Sequence, residues 1–120
     1  TILLVDASRD SQILAAHILG RQDCSVVVAQ DMAEASAALE QDVYDLVLVD
    51  TSLPGLDGPG AAKALRDRMG RDAGATRLVA TSLEHGPDFR EAMKALGFDA
   101  TLAKPFRGDD LLALLHAARP

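Results

Sequence analysis

Five short apolar runs punctuate the chain, and each gives way to a longer stretch of helical period, an alternation that few folds accommodate. The runs are Ile2-Leu3-Leu4-Val5, Val26-Val27-Val28-Ala29, Leu46-Val47-Leu48-Val49, Leu78-Val79-Ala80 and a weaker one from Ala100 to Ala103. Their length and β-branched content read as strands. None is long enough to span a bilayer, and no signal peptide opens the chain. The runs are continuous rather than alternating, which fits burial on both faces. Five strand–helix units in strict order imply a parallel sheet covered by helices on both sides. Right-handed crossovers then bring all the strand ends to one edge.

Between the runs, the spacing predicts a helix over about residues 10–22 carrying Ile13, Leu14, Ile18 and Leu19. Asp31-Met32-Ala33-Glu34 resembles a capping box and opens a second helix, with Ala35, Ala38 and Leu39 inward. Pro59 suits the first turn of a third helix running to about Met69, followed by a polar connection over 70–76. Pro87 begins a fourth helix with Phe89, Met93 and Leu96, and Gly97 is placed to cap it. A last helix from about Asp109 carries Leu111, Leu112, Leu114 and Leu115.

Composition narrows the function. The 120 residues make one domain, with 48% apolar and 25% charged residues, an ordinary globular balance. A net charge of −6 and only 3% aromatic residues argue against nucleic-acid binding by this domain, whether through a basic face or by base stacking. The single cysteine, Cys24, excludes an internal disulfide and a thiolate metal cluster, and fits a reducing cytoplasm. It reads as a small buried residue opening the second strand. Thr1 stands beside the first apolar run and Pro120 just past the last helix, so residues 1–120 are expected to be one domain cut from a longer protein.

In open α/β sheets, ligands lie at the carboxyl ends of the strands. Those ends are Asp6, Asp50, Thr81-Ser82 and Lys104. Two carboxylates, a hydroxyl and an ammonium suit phosphoryl chemistry. One carboxylate can act as nucleophile, a hard cation such as Mg²⁺ takes oxygen ligands, and the lysine and hydroxyl can orient the transferred group. The competing reading is that all four are structural capping polars.

The motifs Leu4-Val5-Asp6, Val49-Asp50-Thr51-Ser52-Leu53-Pro54-Gly55-Leu56-Asp57-Gly58, Ala80-Thr81-Ser82 and Ala103-Lys104-Pro105-Phe106 resemble, in order and spacing, the receiver domain of bacterial two-component response regulators. The resemblance covers essentially the whole chain. It implies a flavodoxin-like (βα)5 fold, a doubly wound parallel sheet of order 2-1-3-4-5, and a cis bond before Pro105. It makes Asp50 the phosphoacceptor, Thr81 the switch hydroxyl and Lys104 the phosphate-pairing lysine. Asp6, Asp50 and the main-chain carbonyl of Ser52 become the Mg²⁺ ligands. The implied partner is a histidine kinase or histidine phosphotransfer protein. An attached output or kinase domain and a homodimer are compatible with it, and a membrane is not involved.

Two positions depart from the family. Ala7 replaces the second member of the usual acidic pair, so weaker metal binding and slower phosphorylation are expected. Ser8 and Asp10 lie nearby, but either is more simply the N-cap of the first helix. Thr101 stands where an aromatic switch residue is common, which puts the hydroxyl–aromatic coupling in doubt. Among other polar residues, Asp57 reads as a loop or cap residue, Arg9 as solvated, and His17, His85 and His116 as surface residues. The leading reading is a phosphoacceptor switch that changes a protein-interaction surface and is an enzyme only in assisting its own phosphorylation and dephosphorylation. The alternative, motivated by Ala7 and Thr101, is a phosphorylation-independent pseudo-receiver acting as an interaction or dimerisation module. A flavin module on the same fold fits poorly, because the first strand-to-helix loop has no Ser/Thr/Gly-rich phosphate cradle.

Overall fold

The structure, a computed structural model, describes residues 1–56, 60–84 and 86–118. Its strands are β1 (Ile2–Val5), β2 (Val26–Ala29), β3 (Leu46–Asp50), β4 (Arg77–Ser82) and β5 (Ala100–Ala103). The helices between and after them are α1 (Arg9–Gly20), α2 (Met32–Gln41), α3 (Ala61–Met69), α4 (Pro87–Ala95) and α5 (Gly108–Ala118). All strand pairs are parallel, in the order β2-β1-β3-β4-β5. The expected flavodoxin-like architecture is the one observed. The Lys104–Pro105 peptide is cis.

Alternate residues along each inner strand feed opposite cores, because successive side chains leave a strand on opposite faces. Leu3, Val5, Val47, Val49, Leu78 and Ala80 join Leu39, Leu65 and Phe98 under α2 and α3. Ile2, Leu4, Leu46, Leu48 and Val79 join Ala15, Leu19, Leu111 and Leu115 under α1 and α5. Between their ends the inner strands are therefore apolar on both faces, with polar residues confined to Arg77 at the start of β4 and to Asp50, Thr81 and Ser82 at the carboxyl ends. The edge strand β2 differs from that expectation. Val27 and Val28 are each 39% exposed, since β2 has a neighbour on one side only and the helices do not fully cover it.

Helix α1 starts where Ser8 Oγ accepts a bond from Ser11 N at 3.3 Å, so Ser8 is its N-cap. The helix buries Ala15 and Leu19, with Leu14 and Ile18 half-buried, but Ile13 is 59% exposed. At 100° per residue, Ile13 lies on the far side of the helix from Ala15. At α2, Asp31 Oδ1 accepts from Glu34 N at 2.8 Å, while Glu34 Oε1 accepts from Gln30 N, one residue earlier than a capping box requires. Pro59, the expected start of α3, lies outside the described residues, as do Asp57, Gly58 and His85. The polar connection expected after α3 takes the form of a 3₁₀ helix over Gly70–Ala75. Cys24 is half-buried, packed against the α1/α5 core.

The end of α4 is set by Gly97 at φ +104°. Gly97 N donates to Lys94 O and Phe98 N to Met93 O, both at 3.1 Å, the paired bonds of a Schellman motif. A Cβ on Gly97 would add left-handed strain and sit 3.4 Å from Ala62 Cβ. Gly97→Ala is expected to lower stability by about 1–2 kcal/mol in urea unfolding. A change below about 0.3 kcal/mol would show that α4 does not need this cap.

Candidate functional site

Register builds the site. Val5 pairs with Val49 and Asp50 with Thr81, so Asp6, one residue beyond Val5, stands level with Asp50 and Thr81 at the carboxyl edge. Lys104 follows β5, which lies two strands from β3. Two strand spacings are about 10 Å, and a lysine stem is long enough to reach back across β4. Lys104 Nζ does so, meeting Asp6 Oδ2 at 2.7 Å and Asp50 Oδ2 at 3.0 Å.

The two acids are held by the same kind of turn. Ser8 N donates to Asp6 Oδ1 at 2.8 Å, and Ser52 N donates to Asp50 Oδ1 at 2.9 Å. Each is an aspartate carboxylate taking the main-chain N–H two residues on. Gln12 Nε2 adds a bond to the Asp6 carbonyl at 2.7 Å, and Ser52 Oγ adds one to Asp50 Oδ1 at 2.7 Å. Neither of these side-chain donors was expected from the sequence. The pattern Asp-x-Ser directly after an apolar run, in Asp6-Ala7-Ser8 and Asp50-Thr51-Ser52, is the signal that points to both turns; the same triplet at Asp23-Cys24-Ser25 precedes a run instead.

Burial alone would raise the Asp50 carboxyl, but the two Ser52 bonds and the Lys104 ammonium outweigh it and hold Asp50 below the ordinary carboxylate range. Burial would lower Lys104, but its two carboxylate partners win and hold it above the ordinary lysine value. Both groups are charged at neutral pH. Asp6 is completely buried, and Lys104 has a side chain only 10% exposed. Two carboxylates against one ammonium leave one negative charge in surplus.

That surplus, on a set of oxygens alone, fits a hard divalent cation. Mg²⁺ needs no more than one or two carboxylates when waters fill its other positions. Ala7 offers no side-chain ligand and is exposed, and among the described residues no three acidic, histidine or cysteine side chains are grouped so that they could hold a metal ion. Arg9 is exposed, as are His17 and His116.

Thr81 is fully buried beside Asp50, and its hydroxyl has no hydrogen-bond partner among the described residues. An unpaired buried hydroxyl costs about 1–3 kcal/mol. Thr81→Val keeps the shape and removes that polar group, so stability in urea unfolding should hold or rise by about 1 kcal/mol. A loss of more than about 1 kcal/mol would mean the hydroxyl is a structural donor after all. Thr101 is half-buried next to Ala80, away from Asp50. With Arg90 it lines a cleft of about 570 Å³ between α4 and β5 and another of about 360 Å³ toward α5.

The sequence profile of the response regulator receiver domain matches residues 2–116. The chain belongs to that family. This receiver domain is 31% identical over 110 residues to the sensor histidine kinase AruS of Pseudomonas aeruginosa, covering 92% of the chain and 11% of the kinase. It is 33% identical over 114 residues to the transcription factor SKN7 of Candida albicans, covering 95% of the chain and 20% of the factor. It thus spans a fifth or less of these relatives. Among solved structures, it is similar to the receiver domain of the sensor histidine kinase PA1611 of Pseudomonas aeruginosa, with a TM-score of 0.80 and 28% identity over 97% of this chain and 93% of that one. That neighbour carries a magnesium ion coordinated in its active-site cleft. No helix among the described residues of this receiver domain is long and apolar enough to cross a membrane.

Proposed function

We propose that this domain accepts a phosphoryl group on Asp50 from a phosphohistidine of a histidine kinase or phosphotransfer protein. The observation that carries the reading is the single ammonium of Lys104 shared by Asp6 and Asp50, 2.7 and 3.0 Å away, at the carboxyl edge of the sheet. The low pKa of Asp50 keeps its carboxylate ionised and able to attack. An Asp50 oxygen forms the new bond to phosphorus as the phosphorus–nitrogen bond breaks, and that electron pair returns to the imidazole. Lys104 neutralises charge on the transferred oxygens, and Thr81 offers a hydroxyl proton that no protein group among the described residues already takes. Asp6, Asp50 and the Ser52 carbonyl would hold Mg²⁺, which would supply charge neutralisation and orient the phosphoryl group.

Output follows from drawing Lys104 away from its two carboxylates and giving the Thr81 hydroxyl a partner. Once both engage the phosphoryl group, the ends of β4 and β5 rearrange, and α4 is the element most able to follow. None of its residues is buried, and it packs against the core through Met93, with Leu96 just past its last residue. The switched surface is then the face formed by α4, β5 and α5, in a module carried by a longer signalling protein.

A second reading, a phosphorylation-independent interaction module, is favoured by one observation, the exposed Ala7 in place of an acid. Phosphotransfer separates the two. Phosphoryl transfer from a phosphorylated histidine phosphotransfer protein to the native chain, lost in Asp50→Asn, supports the switch. No transfer from any donor supports the interaction module.

A further inference from the structure

The Asp50 carboxylate is gripped unevenly. Oδ1 accepts from Ser52 N at 2.9 Å and from Ser52 Oγ at 2.7 Å, while among the described residues Oδ2 meets Lys104 Nζ alone, at 3.0 Å. A carboxylate oxygen offers two lone-pair directions. Ser52 therefore fills Oδ1 by itself, and Oδ2 keeps one direction open beside the lysine.

The matching turn at β1 shows which bond is the added one. Asp6 Oδ1 also takes the main-chain N–H two residues on, but the hydroxyl of Ser8 is used to cap α1. The main-chain bond belongs to the turn at both strand ends. The hydroxyl bond is particular to Asp50, and Ser52 is exposed, so rotation about its χ1 is sterically free to break it.

We propose that the Ser52 hydroxyl is a positioning group that competes with the divalent cation for Asp50 Oδ1 and leaves Oδ2 as the oxygen that meets phosphorus. This rests on the phosphoacceptor reading above. Ser52 then acts in opposite directions, its main-chain carbonyl favouring the cation and its hydroxyl opposing it. Cation binding includes turning that hydroxyl away. The site is set to stay empty at low cation concentration, and Ala7 pushes the same way by withholding a ligand.

Calorimetric titration of Mg²⁺ into the full chain tests this without reference to phosphorylation. Ser52→Ala should bind about tenfold more tightly than the native chain, the low end for a charge-assisted hydrogen bond on an exposed side chain. Ser52→Thr, which keeps the hydroxyl, should bind as the native chain does. Equal or weaker affinity in Ser52→Ala overturns the proposal, and so does a Ser52→Thr chain as tight as Ser52→Ala. Asp50→Ala distinguishes the deeper failure. If it binds Mg²⁺ like the native chain, the cation is not at Asp50 and the metal reading falls with the proposal. If Asp50→Ala loses binding while Ser52→Ala is unchanged, only the hydroxyl's competition is refuted. Absence of binding in native and Ser52→Ala chains alike overturns both.

Discussion

Lys104→Met should lower folding stability by about 3 kcal/mol near neutral pH, toward the lower end of what removing one partner from a buried ion pair costs. Methionine matches the stem but leaves two carboxylates facing one another, with Asp6 completely buried and Asp50 nearly so. Asp50 keeps both Ser52 bonds and Asp6 keeps its bond from Ser8, which is why the loss stays below the top of that range. The pH dependence carries the diagnosis. In the native chain, the lowered pKa of Asp50 contributes stability that is present above the ordinary carboxylate range and lost as pH falls through the folded value. The raised pKa of Lys104 contributes stability that is complete below the ordinary lysine value and lost as pH rises through the folded one. The pair therefore supports a plateau across neutrality. In Lys104→Met two like charges share the pocket, so one carboxyl gains a raised pKa and protonates early. The gap between the two proteins should accordingly shrink on going from about pH 7 to about pH 5 in urea unfolding. A gap that is the same at both pH values, or below about 1 kcal/mol at neutrality, would mean that the lysine does not neutralise these acids.

Ala7→Asp should strengthen Mg²⁺ binding by about ten- to a hundredfold. A third carboxylate within several Å of a divalent ion near a surface is worth a few kcal/mol before desolvation and side-chain ordering are subtracted. Ala7 is exposed at the rim between the Asp6 turn and the cap of α1, so the new acid is accommodated without disturbing the core. Without the cation, it adds a second surplus negative charge to the site, and the variant should be slightly less stable in a chelator than the native chain. Calorimetric titration reads the first effect and urea unfolding in chelator the second. Equal Mg²⁺ affinities in the two chains would show that the missing acid is not what limits the native site.

Much of the site is legible in the sequence, for a topological reason. A parallel sheet sends every strand the same way, so residues ending the runs at Asp6, Asp50, Thr81 and Lys104 must share an edge however far apart they lie in sequence. The reach of lysine then makes its meeting with both acids nearly obligatory. Other features depend on facts that periodicity does not hold. Apolar content marked β2 as a strand, but only the strand order makes it an edge and exposes Val27 and Val28. Ile13 belongs to an apolar helix segment, yet its angle from Ala15 and Leu19 turns it outward. The Ser52 hydroxyl bond depends on a single side-chain torsion at a turn, which residue type permits but does not dictate. Thr101 was readable as a departure from the family, whereas the clefts on either side of it required the packing of α4 and α5 against β5.

The most direct test of the central claim is to treat the native chain with Mg²⁺ and a small phosphoryl donor, reduce it with borohydride, and sequence the peptides by mass. An acyl phosphate on Asp50 is reduced to an alcohol, so position 50 should be read as homoserine, with no such residue in the Asp50→Asn chain. Homoserine at another aspartate, or a fully unmodified chain even after exposure to a phosphorylated histidine phosphotransfer protein, would contradict the account.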